Sequence, residues 1–171
     1  MIAPPFNHSN DADLCSRQGA ATGPEASTTF LGIVTRAVAY FETLTPESVG
    51  HIGEFYDPQA RFTDPFNDVM GAAAIQKIFA HMFVTLKQPR FVVTQQVCQG
   101  KQCFLTWEFR FYFPSYKVGQ EQVILGASHL VLGVDGLIMV HRDYWDAAQE
   151  LYEKLPVVGS VMRWLKARVN S

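Results

Sequence analysis

Charge is scarce in this sequence. Lys, Arg, Asp and Glu make up 18% of its 171 residues, against roughly 25% in an average globular domain. Neither sign dominates: 14 basic residues stand against 16 acidic ones, for a net charge of −2. No basic stripe is therefore on offer to a phosphate backbone, and nucleic-acid binding is not expected. Long hydrophobic runs are also missing, since none approaches the roughly 20 residues of a membrane-spanning helix. Met1 to Gly23 holds no basic segment followed by an apolar one, so no secretory leader is expected and the chain is assigned to the cytoplasm. Cysteine is nearly absent. Cys15, Cys98 and Cys103 make neither a disulfide framework nor a CxxC metal site. Cys98 and Cys103 do flank a predicted turn, within reach of each other, although a reducing cytosol argues against a functional disulfide. His51, His81, His129 and His141 are scattered without metal-ligand spacing, and no nucleotide-binding motif occurs, so neither a metal nor any other cofactor is expected.

Apolar and aromatic residues fill the space that charge leaves. Hydrophobic residues account for 48% of the chain and aromatics for 13%, with 13 Phe. One domain of this length buries about two-thirds of its unfolded surface. The remaining apolar surface points to a cavity for a small hydrophobic molecule or to a subunit interface.

Residues 1–27 show no apolar period and read as a flexible tail. From Thr28, Leu31, Val34, Val38 and Phe41 form a helical stripe. Thr45, Pro46 and Glu47 start a short second helix with Val49, Ile52 and Phe55 inward. Tyr56-Asp57-Pro58 stops it, and a short strand over 60–63 enters the Asp64-Pro65 turn. A third helix runs from Gly71 to about Leu86. Beyond Arg90 the period becomes two, giving strands over 90–98, 103–113, 120–132 and 137–145. The intervening turns are short, which requires an antiparallel meander. A helix from Asp146 to Leu155 and an amphipathic segment over 156–171, with Val161, Trp164 and Leu165 on its apolar side, complete the chain. Helices preceding an antiparallel sheet make an α+β fold, a curved sheet covered on one face and closed into a cone. The domain proper spans 28–155.

Alternation sorts each strand into faces. Glu108 and Arg110 share one side of their strand, while Trp107, Phe109, Phe111 and Phe113 share the other. Ser128, and in the last strand His141, Asp143 and Trp145, form further polar sets. The reading that joins them turns Glu108, Arg110, Ser128, His141 and Asp143 into one pocket beside Trp145. The four rings then face outward, as the pairing surface of a homodimer. Asp64, at the rim of an apolar pocket, is the expected proton-transfer group. Tyr40 on the first helix is the expected donor to an oxygen that gains charge.

The run Arg61-Phe62-Thr63-Asp64-Pro65-Phe66-Asn67, the helix after Gly71 and the ending His141-Arg142-Asp143-Tyr144-Trp145-Asp146 resemble the SnoaL-like, ketosteroid-isomerase-like branch of the nuclear transport factor 2 superfamily. The resemblance covers about residues 28–155 and implies the cone-shaped fold. It places Asp64 at the proton-shuttling aspartate and Tyr40 at the oxyanion-binding tyrosine, with Ser128 where the isomerases keep a protonated aspartic acid. The same ending is similar to limonene-type epoxide hydrolases, in which an Asp–Arg–Asp set activates water. Asp143 matches one acid, while Glu108 and Arg110 occur in the reverse order. The expected function is cofactor-free acid–base catalysis on a small hydrophobic carbonyl, steroid-like or polyketide-like molecule. Epoxide hydrolysis, ligand binding without chemistry and a dimeric protein-interaction module are the alternatives.

Overall fold

The computed structural model describes residues 24–115 and 117–147. Most of the expected tail, most of the helix over 146–155 and the whole C-terminal segment lie outside them. Helix α1, Pro24–Glu42, starts four residues before the expected Thr28. It buries Val34, Ala37, Tyr40 and Phe41, whereas Leu31 stands half in solvent. A 3-10 helix, Ser48–Glu54, buries Val49 and Ile52. Its entry is a reciprocal cap: the Ser48 N–H donates to Thr45 Oγ1 at 3.1 Å and the Thr45 N–H to Ser48 Oγ at 2.8 Å, satisfying donors that a helix start otherwise leaves orphaned.

Strand β1, Tyr56–Thr63, begins four residues before the expected strand, directly after the 3-10 helix. Proline does not stop the chain at Pro58 because the ladder is irregular between Tyr56 and Arg61, where a missing N–H costs little. A short β2, Asp68–Met70, pairs with it. Gly71 then turns into helix α2, Ala72–Thr85, with φ of 95° and its N–H donated to the Ala60 carbonyl at 2.7 Å. A side chain is strained at that φ, so glycine is required. Helix α2 buries Ile75 and Phe79.

The four long strands are β3, Lys87–Gln99; β4, Gln102–Tyr112; β5, Gln122–Leu132; and β6, Ile138–Tyr144. They form the expected antiparallel meander, and β1 adds to β6 in parallel. The curved six-stranded sheet runs β2-β1-β6-β5-β4-β3. Register shifts in β3 and between β5 and β6 supply the local twist that bends it around the helices. No described helix is long and apolar enough to cross a membrane.

The faces of β4 are the reverse of those expected. Trp107 and Phe111 are buried, Phe109 is half-buried, and the outer set of Thr106, Glu108, Arg110 and Tyr112 meets solvent. The register explains it. Leu105 lies opposite Ser128 and Trp107 opposite Gly126, and directly opposed residues share a face. Once Ser128 points inward, Trp107 must as well and Glu108 cannot. The choice also follows burial, because rings gain from leaving water whereas an ion pair is costly to desolvate. The outer face keeps a different apolar set, in which Val97, Phe104 and Leu125 are exposed.

Candidate functional site

Between the inner sheet face and the two helices lies a hollow walled by Phe41 from α1, Phe79 from α2, Phe91 and Val93 from β3, and Leu105 and Trp107 from β4. Its polar wall is Ser128, His141 and Asp143. The hollow spans about 360 Å3 with its open mouth counted, and a water-sized sphere has about 20 Å3 in which to move its centre, roughly the space one water needs.

The polar groups form a directed chain. Tyr56, fully buried where β1 begins, contacts His141 Nδ1 at 2.5 Å. Burial, the charge of Asp143 and the neighbouring Tyr40 raise the Tyr56 pKa well above that of an ordinary phenol. The hydroxyl therefore keeps its proton and can donate to Nδ1. With its hydrogen on Nε2, the imidazole donates to Asp143 Oδ1 at 2.9 Å. Ser128 donates to the same Oδ1 at 2.5 Å and accepts from Trp107 Nε1 at 2.8 Å. The side chains of His141 and Asp143 keep only 5% and 13% of their exposure.

These contacts place one acid in an aromatic hollow with Oδ1 held by two donors. Among the described residues no hydrogen bond reaches Oδ2, and Asp143 lines the hollow. A carboxylate so held can accept a proton from a carbon or a water and return it, and its orientation needs no cofactor. No three of His, Cys, Asp and Glu gather as a metal-ligand set among the described residues.

Of the residues singled out in the sequence, the fold brings together Ser128, His141 and Asp143. Glu108 and Arg110 lie on the opposite face, where Arg110 Nε donates to Glu108 Oε2 at 2.8 Å and Nη1 to Glu121 at 2.9 Å. Asp64 is engaged by its own turn. Its Oδ1 accepts the N–H groups of Phe66 at 2.7 Å and Asn67 at 2.6 Å, and the Asn67 amide reaches both oxygens at 3.0 Å. Tyr40 donates to the Ser48 carbonyl at 3.1 Å and stacks on Phe55 at 4.1 Å; burial, then the charge of Glu54, push its phenol up to about 12. Trp145 packs edge-on against Phe66 at 5.3 Å rather than lining the hollow. Tyr56 and Trp107 are the residues that sequence reasoning missed. Tyr56 was read as part of a helix stop, and the odd-numbered face of β4 was sent outward. The signal for Trp107 was Gly126, whose missing side chain makes room for the indole: a methyl there would press into the ring.

No curated protein matches the chain in sequence. Solved structures match it in fold. One is a candidate SnoaL-like polyketide cyclase from Jannaschia sp. CCS1, 17% identical with a TM-score of 0.61, the match covering 77% of this chain and 94% of that one. A second is a limonene-epoxide-hydrolase-like epoxide hydrolase from Mycobacterium tuberculosis, at 13% identity and a TM-score of 0.59, covering 83% and 96%. A third is a candidate isomerase of the SnoaL-like family from Agrobacterium tumefaciens, at 21% identity and a TM-score of 0.55, covering 70% and 98%. At such identities the likeness is one of fold. The model of the SnoaL-like domain itself matches residues 37–141, well over half of the chain, and the chain belongs to the SnoaL-like family.

Proposed function

We propose that this protein is a cofactor-independent acid–base enzyme that moves a proton on a small apolar carbonyl compound, with Asp143 as the group that accepts and returns the proton. The single observation that supports the reading is the divided role of the Asp143 carboxylate. Oδ1 is fixed by His141 and Ser128, and among the described residues no hydrogen bond reaches Oδ2 of this acid, which lines the aromatic hollow. Phe41, Phe79, Phe91 and Trp107 would clasp the substrate, and these rings must part to admit it, since the hollow as it stands has room for about one water. Tyr56 is a positioning residue that acts through His141 by holding its tautomer. The names of the fold relatives, isomerase and polyketide cyclase, fit proton transfer next to a carbonyl.

The test is hydrogen–deuterium exchange in heavy water, followed by proton NMR at the carbons beside the carbonyl of a panel of small apolar ketones and enones. The wild-type protein is expected to exchange at least one of them. Asp143→Asn is expected to lose that exchange, whereas Asp64→Asn and Tyr40→Phe retain it. Equal exchange by Asp143→Asn, or none across the panel, overturns the reading. A retained ligand in native mass spectrometry without any exchange would instead favour a binding domain.

Hydrolysis is a second reading, favoured by the water-sized space beside Asp143 and by the epoxide hydrolase among the fold relatives. Against an Asp–Arg–Asp set, Arg110 stands on the outer face and no arginine is among the described lining residues. Oxygen-18 from labelled water appearing in a diol product would support hydrolysis over proton exchange.

A further inference from the structure

The hairpin that joins β3 to β4 carries two cysteines at opposed positions. Cys98 and Cys103 are cross-strand partners, separated by the Gly100-Lys101 turn, and both are free thiols. Directly opposed residues of an antiparallel pair lie about 4.5–5.5 Å apart at Cα, and their side chains share one face. A disulfide spans about 4.4–6.8 Å between Cα atoms, so the backbone needs no rearrangement to join the two. Their surroundings differ. Cys98 is half-buried and opens into a groove beside Phe30, Leu31, Gln96 and Gly100. Cys103 is fully buried. Burial and the adjoining Cys98 push the Cys103 thiol up to about 12, which keeps it protonated and inert toward solutes.

We propose that Cys98 and Cys103 form a redox-active dithiol that takes low-molecular-weight disulfides such as oxidised glutathione as its co-reactant, with Cys98 as the entry thiol and Cys103 as the resolving one. Cys98, as its thiolate, attacks one sulfur of the small disulfide, and one small thiolate leaves. Cys103 then attacks the Cys98 sulfur of the mixed disulfide. The second small thiolate leaves, and the Cys103 proton passes to it. In sum two protein thiols become one disulfide and one small disulfide becomes two thiols, so electrons and protons balance. The pair also has a fixed place relative to the hollow. Cys98, Cys103, Leu130 and His141 are successive cross-strand partners across β3, β4, β5 and β6, so the latch and the histidine lie in one row of the inner face. This site is independent of the acid–base reading and stands or falls without it.

The experiment treats the full chain, carrying Cys15→Ser to remove the third thiol, with oxidised glutathione, then blocks free thiols and digests with trypsin without reduction. Cleavage after Arg90, Lys101 and Arg110 separates the two cysteines into different peptides. The expected product is Phe91–Lys101 linked to Gln102–Arg110, released by reductant and lighter than the two free peptides by two hydrogens. Adding Cys103→Ala is expected to trap one glutathione on Cys98. Adding Cys98→Ser is expected to leave Cys103 unmodified, with circular dichroism confirming that each variant is folded. A stable glutathione adduct with both cysteines present, both thiols still blocked after treatment, or glutathione on Cys103 in the Cys98→Ser protein would overturn the proposal.

Discussion

The two faces of the sheet carry two polar networks built on different principles. On the inner face, Tyr56, His141, Asp143, Ser128 and Trp107 form a continuous chain of hydrogen bonds in which each group is shielded from water. On the outer face, Arg90, Glu121, Arg110 and Glu108 form a ladder of ion pairs whose side chains keep between 25% and 44% of their exposure. Water competes for every outer contact and for almost none of the inner ones. The inner network therefore fixes the orientation of its groups, whereas the outer one is weakened by water and salt.

The comparison breaks most sharply in activity. Asp143→Asn is expected to lower proton exchange by about 10²–10⁴-fold, while Glu108→Gln, equally a carboxylate-to-amide change in the same sheet but two strands away and on the other face, leaves it unchanged; rates on the same ketone decide this. Stability gives the next largest contrast. Gly126→Ala drives a methyl into the Trp107 indole and is expected to cost about 1–3 kcal/mol, measured by urea unfolding. Tyr56→Phe leaves the buried His141 Nδ1 without its donor, for about 1–2 kcal/mol, read in the same assay.

The pH response separates the faces by sign. Tyr40, pushed up to about 12, and Tyr56, raised well above an ordinary phenol by burial, are neutral in the fold and ionise more readily in the unfolded chain. Their support is complete below about pH 10 and fades as pH climbs toward about 12 and beyond. Tyr40→Phe and Tyr56→Phe should each flatten that alkaline loss. Glu121 is held below the ordinary carboxylate range, first by its bond from Arg90. Its support is present at neutral pH and disappears as pH falls into the acid range. The smallest effect is Arg110→Ala, expected to move the melting temperature by about 2 °C or less and to shrink further in high salt.

Much of the fold was legible because its signals are local. Period-two alternation and short turns specified the β3–β6 meander, Gly71 announced a helix start, and Thr45 with Pro46 and Glu47 announced a capped helix start. What escaped was non-local. Strand β2 is three residues long, too short for a period, and β1 was shortened because Pro58 reads as a stop unless its neighbour leaves the N–H position unused. The site was legible in part. Ser128, His141 and Asp143 were placed together from the sequence, and the fold does bring them to one hollow. Asp64 and Tyr40 carry the right chemistry in the right order along the chain, yet their polar atoms are engaged by Asn67 and by the Ser48 carbonyl, which no spacing rule reveals.

The sequence by itself determined that Trp107, Phe109 and Phe111 share one face and Glu108 with Arg110 the other, since side chains alternate along any strand. Only the tertiary structure decided which face is inside. That choice belongs to the pairing register, which sets Trp107 against Gly126 and Leu105 against Ser128, and to the helices that cover one side of the sheet. Parity within a strand is a property of the chain, whereas inside and outside are properties of what packs against it.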